Sequence, residues 1–303
     1  MTTTSEHPAL NPFRPYLHFT EDECSSEGQR TPVNTVFLTN RECPWHCVMC
    51  DLWKNTLAET VPAGAIPAQI DYALSRLAPA PCIKLYNSGS FFDPRAIPVE
   101  DYAAIAQRLA AYERVIVESH PALIGENCFR FRDLIGGRLE VAMGLETAHP
   151  EVLRRLNKRM TLEQFSFAAC LLRANAIDLR VFILVKPPFL EEDAALEWAQ
   201  RSLDFAFGCD ATAASLIPTR GGTGAMEALA ATGDFAPPRM ETLEAAMEHG
   251  LGLKRGRVFA DLWDLEKFSN CGECFAARRQ RLQEMNHRQV VIARTGCHVC
   301  GGN

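Results

Sequence analysis

From residue 32 onward the chain repeats one unit, a short apolar run rich in β-formers followed by a longer amphipathic segment. Six such runs, at 32–39, 82–87, 114–118, 139–144, 179–185 and 211–217, read as strands, and 64–78, 98–111, 161–176 and 191–207 read as helices. Strand–helix–strand units pair in parallel through right-handed crossovers, so the pattern predicts an α/β fold. The expected form is a partial (β/α)6 barrel of the TIM type, with a doubly wound open sheet as the alternative. The 303 residues, 47% of them apolar, suffice for one large core. Residues 1–30 lack a sustained period and read as an N-terminal arm, 31–255 as the barrel, and 256–303 as a small cysteine-rich extension.

A net charge of −6 gives no general attraction for nucleic acid, and local basic clusters such as "ARRQRL" read first as solvated helix faces. The N-terminus lacks a charged start followed by an apolar core, and no later run is long enough to cross a bilayer. No membrane association is expected, and the expected location is the cytoplasm. In a reducing compartment twelve cysteines are better read as metal ligands and core residues than as disulfides.

The excursion after the first expected strand carries "NRECPWHCVMCDLW", with Cys43, Cys47 and Cys50 spaced C-x3-C-x2-C. Three thiolates can hold three irons of a four-iron four-sulfur (4Fe-4S) cluster and leave the fourth open, whereas an electron carrier normally has four protein thiolates. A zinc knuckle or a chance cluster of buried thiols is the weaker reading.

This motif, directly after a strand, resembles the signature of the radical S-adenosylmethionine (SAM) superfamily. The resemblance implies that the open iron chelates the amino and carboxylate groups of SAM. Reductive cleavage then yields a 5′-deoxyadenosyl radical that abstracts hydrogen from a substrate, with the electron supplied by a donor such as flavodoxin or ferredoxin. Met49 stands where members of the superfamily often carry an aromatic residue, and its thioether is suited to packing against adenine.

In a barrel the C-terminal strand ends converge on one face and carry the chemistry. "YNSGSFFDP" there offers Asn87, Ser88, Gly89 and Ser90 to the SAM amino-acid moiety, although a simple polar turn has the same composition. "VESHP" and "MGLETAHPE" place Glu118 and Glu146 where acceptors meet a ribose or an ammonium, although either acid alone reads as a cap or surface residue. Lys186 in "LVKPPFLEE" is expected to face a carboxylate or phosphate, and Arg220 in "PTRGGTGAMEAL" an anion. The latter stretch lacks the order of a P-loop, so ATP binding is not expected. His120, alone before a proline, reads as structural or substrate-facing.

In order, these strand-end stretches, with "VAMGLETAHPEVLRRLNKRMT" among them, resemble the radical SAM β-subunit of archaeosine synthases across residues 30–280. More distantly they resemble the radical SAM domain of elongator-type tRNA enzymes. The first resemblance implies a lyase-type cleavage of a carbon–nitrogen bond on a modified deazaguanine nucleoside or tRNA, and a partner protein.

Near the C-terminus, "NCGECF" and "GCHVCGG" supply Cys271, Cys274, Cys297 and Cys300, two C-x2-C pairs separated by twenty-two residues. Such pairs suit a closed structural zinc site, and an auxiliary iron-sulfur cluster is the competing reading. Cys24, Cys82, Cys128, Cys170 and Cys209 have no such spacing and read as ordinary residues. Two other functional classes stay open at this stage: a radical SAM enzyme acting on a small natural product or peptide, and a non-catalytic zinc-binding interaction protein.

Overall fold

The computed structural model describes residues 10–222, 224–294 and 296–300. Residues 1–9 of the expected arm, and the glycines after Cys300, lie outside the described residues. One sheet runs β1 (Leu17–Cys24), β2 (Arg30–Phe37), β3 (Cys82–Tyr86), β4 (Arg114–Ser119), β5 (Arg138–Glu146), β6 (Asp178–Val185), β7 (Ala213–Pro218) and β8 (Arg257–Ala260), in that spatial order. β1 is antiparallel to β2, and every later pair is parallel. The sheet curls into a half-barrel. Because spatial order follows chain order with no reversal, the doubly wound alternative does not apply.

All six expected strands are present, and the four expected helices correspond to α1 (Ala65–Leu74), α2 (Tyr102–Arg108), α5 (Leu162–Ala174) and α6 (Glu192–Gly208). Two strands were not anticipated. β1 lies in the stretch read as an irregular arm, because its alternation is between two polar faces: Glu21 and Glu23 point into the barrel and Asp22 points away to Arg30. β8 is four residues long, and its exposed edge is covered by side chains of α9 (Gly272–Arg288) and its C-cap. There Asn286 and Gln289 bond the backbone N–H and C=O of Ala260 and Val258 at 2.7–2.9 Å, standing in for a further strand.

Alternation along the strands sorts the interior from the helix-facing core. Ile83, Leu85, Val115, Val117, Leu139, Val141, Leu179 and Val181 belong to the buried apolar core. Lys84, Glu140 and Arg180 instead fill the floor of the half-barrel with an ionic layer. Arg180 grips Glu23 through both terminal nitrogens, at 2.8 and 2.9 Å, and donates through Nε to Glu140 at 2.6 Å. Glu140 also accepts from Arg114 at 2.8 Å and Arg257 at 3.0 Å, and Lys84 pairs with Glu21 and Glu23. An aromatic layer of Phe37, Tyr86 and Phe182 runs across the interior, with ring centroids 5.8–6.0 Å apart. Among the described residues no helix is long and apolar enough to cross a membrane.

Burial alone opposes the charge on Glu140, but Arg180, then Arg257 and Arg114, outweigh it and hold the carboxyl down at about 2. Glu23 is likewise pushed far below its usual value, against burial, by Arg180 and Lys84. Their stabilising contribution is therefore complete above the ordinary value of 4.5 and is lost as pH falls from there towards 2. We expect Glu140→Gln to cost about 3–5 kcal/mol at neutral pH, since it leaves three guanidinium groups without their shared anion. Thermal melts should show this loss, and the variant's melting temperature should fall less steeply than wild type between pH 5 and pH 3, a window set by ordinary carboxyl values of roughly 4.

Candidate functional site

The cysteine loop leaves the C-terminal end of β2 and returns at Leu57, its base closed by the bonds Glu42 N–H to Leu57 O and Leu57 N–H to Asn40 O, both 2.8 Å. Beyond a four-residue 3-10 turn it has no regular structure, so its shape is imposed from outside. The connector between α4 (Pro150–Arg155) and α5 does this. Leu156 O accepts from Val48 N–H at 3.1 Å, and the Asn157 amide donates to the carbonyls of Trp45 and His46 at 3.1 and 3.2 Å. Asn157 has φ +56°, a left-handed conformation that asparagine tolerates better than most residues. A capping box between Thr161 and Gln164 fixes where α5 begins, which anchors the connector's far end.

His120 completes the support. Its Nδ1 accepts from Ala122 N–H at 3.1 Å, so the proton sits on Nε2, which donates to Lys158 O at 2.9 Å. The ring stacks on Trp45 with centroids 4.2 Å apart. Burial depresses its pKa to about 4, keeping it neutral, consistent with the structural role expected for it.

The turn after β3 meets the loop from the other side. A Cβ on Gly89 would lie 3.4 Å from Cys43 Cβ, so the glycine sets how closely the two segments approach. Glu118 Oε1, half-buried, accepts from the backbone N–H of Asn87 at 2.5 Å and of Gly89 at 3.4 Å. Burial raises its pKa and these backbone donors oppose the rise. Ser90 Oγ accepts from His120 N–H at 2.8 Å, and Ser88, at φ +54°, sits 3.0 Å from the Tyr16 hydroxyl. Both polar atoms of the Asn87 side chain are buried with no partner, so a polar ligand at this turn would meet an unsatisfied donor and acceptor.

At the end of β5 a register shift between Gly144 and Glu146 turns Glu146 to φ +64°, and its Oε1 pairs with Lys158 Nζ at 2.7 Å. A Cβ on Gly144 would fall 2.3 Å from Glu146 Oε1 and 2.5 Å from Lys158 Nζ, so a side chain there would displace the pair from this position. Burial pushes the thiols up, Cys43 in direction, Cys47 to about 11 and Cys50 to about 12, while Lys158 pulls each of them down. Lys158 is thus the cation that acts on all three.

Sequence reasoning placed Ser88, Gly89, Ser90, Glu118 and Glu146 around this loop, and the structure brings them together there. Lys186 instead pairs with Glu192 at 3.1 Å, and Arg220 with Asp261 at 2.8 Å, so their charges are already met within the fold. Sequence reasoning missed Tyr16, Asn157 and Lys158. "LNKRMT" was visible as a motif, but nothing in it indicated that the Asn157 side chain holds the cysteine loop and the Lys158 side chain holds Glu146 beside it. Across the mouth, Lys54 Nζ donates to the carbonyl of Gly222, tying the loop to the segment after β7.

At the other cysteine set, Cys271 and Cys274 open α9 and face the tail. Sγ of Cys271 lies 3.9 Å from that of Cys297, Cys274 lies 3.8 Å from Cys300, and all four sulfurs fall within 4.8 Å of one another. Zinc–sulfur bonds of about 2.3 Å give a tetrahedron with edges of about 3.8 Å, so this set fits one tetrahedral ion. Among the described residues this is the one group of three or more His, Cys or acid side chains gathered as a candidate for a single metal ion.

No family model matches the chain. It is 30% identical over 224 residues to archaeosine synthase subunit beta of Methanosarcina acetivorans, covering 70% of this chain and 64% of that protein. It is 29% identical over 127 residues to archaeosine synthase subunit beta of Thermococcus kodakarensis, covering 40% and 39%. The chain thus spans less than two thirds of the length of these curated relatives. Among solved structures it shares its fold with the archaeal Elp3 of Methanocaldococcus infernus, at TM-score 0.50 and 16% identity over 64% of this chain and 50% of that one.

If the Asn157 amide clamps the cysteine loop, Asn157→Ala should remove about 1 kcal/mol of local stability. Hydrogen exchange at residues 46–48 should then accelerate several-fold while exchange in the β5–β6 core is unchanged; equal exchange in both proteins would assign the clamp elsewhere.

Proposed function

We propose that this chain, which belongs to the radical SAM superfamily, holds a 4Fe-4S cluster on Cys43, Cys47 and Cys50 and binds SAM beside it for radical chemistry. The observation that carries the reading is the loop itself: three thiols at C-x3-C-x2-C spacing, docked against a turn whose buried Asn87 carboxamide lacks partners. When bound, such a cluster supplies the electron that cleaves SAM to a 5′-deoxyadenosyl radical, which takes a hydrogen atom from substrate.

The chain's own groups have separable tasks in this reading. Ser88, Gly89 and Ser90, with the Asn87 carboxamide, receive the amino-acid end of SAM, and Glu118 holds their turn in place. Glu146 fixes Lys158, whose charge offsets that of the thiolates. Trp45, packed on His120, shields the loop from water on one side. Lys186, with Glu192 as its ion-pair partner, stays in this reading as a cation for a carboxylate or phosphate of the bound molecule.

For substrate we favour a modified deazaguanine nucleoside or tRNA and cleavage of a carbon–nitrogen bond, with a partner subunit and an external electron donor such as flavodoxin or ferredoxin. Similarity to proteins named as the beta subunit of archaeosine synthase supports this choice. For the four C-terminal cysteines we favour structural zinc over an auxiliary cluster, on the 3.8–3.9 Å sulfur separations.

Anaerobic reconstitution of the full chain should give about four irons on the N-terminal set and 5′-deoxyadenosine under reduction. Cys43→Ala should abolish both; wild type with neither would overturn the reading. Lys158→Met should still load iron, yet have a more negative cluster midpoint potential in an electron paramagnetic resonance redox titration, since a nearby cation is gone. Metal analysis of the protein as purified should find about one zinc per chain, lost in Cys297→Ser. Additional iron in place of that zinc would assign a second cluster.

A further inference from the structure

The floor of the half-barrel, at the strand ends opposite the cysteine loop, holds a cavity of about 370 Å3. Its wall includes Arg114, Arg138, Lys254 and Arg257, with Asp178 and Ser26. Four cations thus face one carboxylate in a chain whose net charge is −6. Glu140 lies behind them, but both its oxygens are engaged by Arg114, Arg180 and Arg257.

Several donors on this wall are weakly used. Arg114 Nη2 reaches Ser26 Oγ at 3.3 Å and Arg257 Nη1 reaches Cys24 O at 3.4 Å, both long for charge-assisted bonds. The Lys254 ammonium has no ion pair or side-chain hydrogen bond among the described residues, and Arg138 holds Asp178 at 3.1 Å with its side chain largely exposed. Two partly buried guanidinium groups, held by Glu140 beneath and, for Arg114, by Asp178 at 2.7 Å, are therefore flanked by two exposed cations. This is the arrangement that takes a phosphate group, whose oxygens match guanidinium forks and whose charge offsets the surplus on the wall.

We propose that the floor cavity is a phosphate-binding site, separate from the mouth of the barrel and independent of the chemistry proposed there. The phosphate belongs either to a small phosphate ester or to the phosphodiester backbone of an RNA.

The test uses the full chain and inorganic phosphate in isothermal titration at constant ionic strength, with chloride as the reference anion. The informative variant is Arg138→Gln/Lys254→Gln. Both side chains are exposed and the buried Arg114–Glu140–Arg180–Arg257 layer is kept, so its melting temperature should stay near wild type. Wild type should bind phosphate in preference to chloride, and the double variant at least tenfold more weakly. Unchanged phosphate binding in the folded double variant, or no preference for phosphate over chloride in wild type, would overturn the site. In a second arm a short single-stranded RNA competes with phosphate. Displacement by RNA in wild type, lost in the double variant, identifies a phosphodiester ligand, and phosphate binding untouched by RNA identifies a small ester.

Discussion

Glu140 accepts from Arg114, Arg180 and Arg257 while fully buried, and most of the half-barrel hangs on that one carboxylate. The three guanidinium groups come from β4, β6 and β8, and Arg180 continues the network to Glu23 on β1. The layer is buried, with Glu140, Arg180 and Lys84 each under 5% exposed, and the geometry of its ion pairs ties together strands from β1 to β8. Desolvation makes such a layer costly, so its advantage is in register and curvature more than in net stability. One end of the barrel is thereby closed and made rigid, which leaves the opposite end free to carry loops.

At that opposite end, rigidity is supplied second-hand. The cysteine loop has almost no regular structure, and its position derives from Leu156, Asn157 and Lys158, one short connector whose far end is anchored by the capping box of α5. Gly144 gives space for the Glu146–Lys158 pair, the pair fixes Lys158, the Lys158 carbonyl holds His120, and His120 stacks on Trp45 between the first two cysteines. A substitution at Gly144 would therefore be felt at the thiols although it touches none of them. Supporting residues of this kind commonly matter to a metal site almost as much as the ligands.

The parts legible in the sequence are those where apolar periodicity and element type agree. The six anticipated strands alternate or run apolar, and their turns carry the polar residues that converge at the mouth. β1 was illegible because its inward residues are glutamates answering Lys84 and Arg180, partners more than sixty positions away. Lys158 and Asn157 were illegible for a related reason: their targets are backbone carbonyls and a carboxylate brought near only by the fold. Lys186 and Arg220 show the converse: each reads in the sequence as a lone cation after an apolar run, and the fold supplies Glu192 and Asp261 as ion-pair partners.

The two cysteine sets show how spacing along the chain becomes chemistry only through what surrounds it. Both use C-x2-C steps, yet the C-terminal sulfurs converge to 3.8–3.9 Å because the first pair starts a helix whose Arg278 and Arg281 are pinned to Glu244 and Glu248, giving the tail a fixed surface to fold against. The N-terminal three sit between two supports, Gly89 against Cys43 and the 156–158 connector against the stretch from Trp45 to Val48. A set that closes on itself has no position left for a substrate. The N-terminal three lie beside a turn whose Asn87 carboxamide is buried without a partner, which a polar ligand there would satisfy.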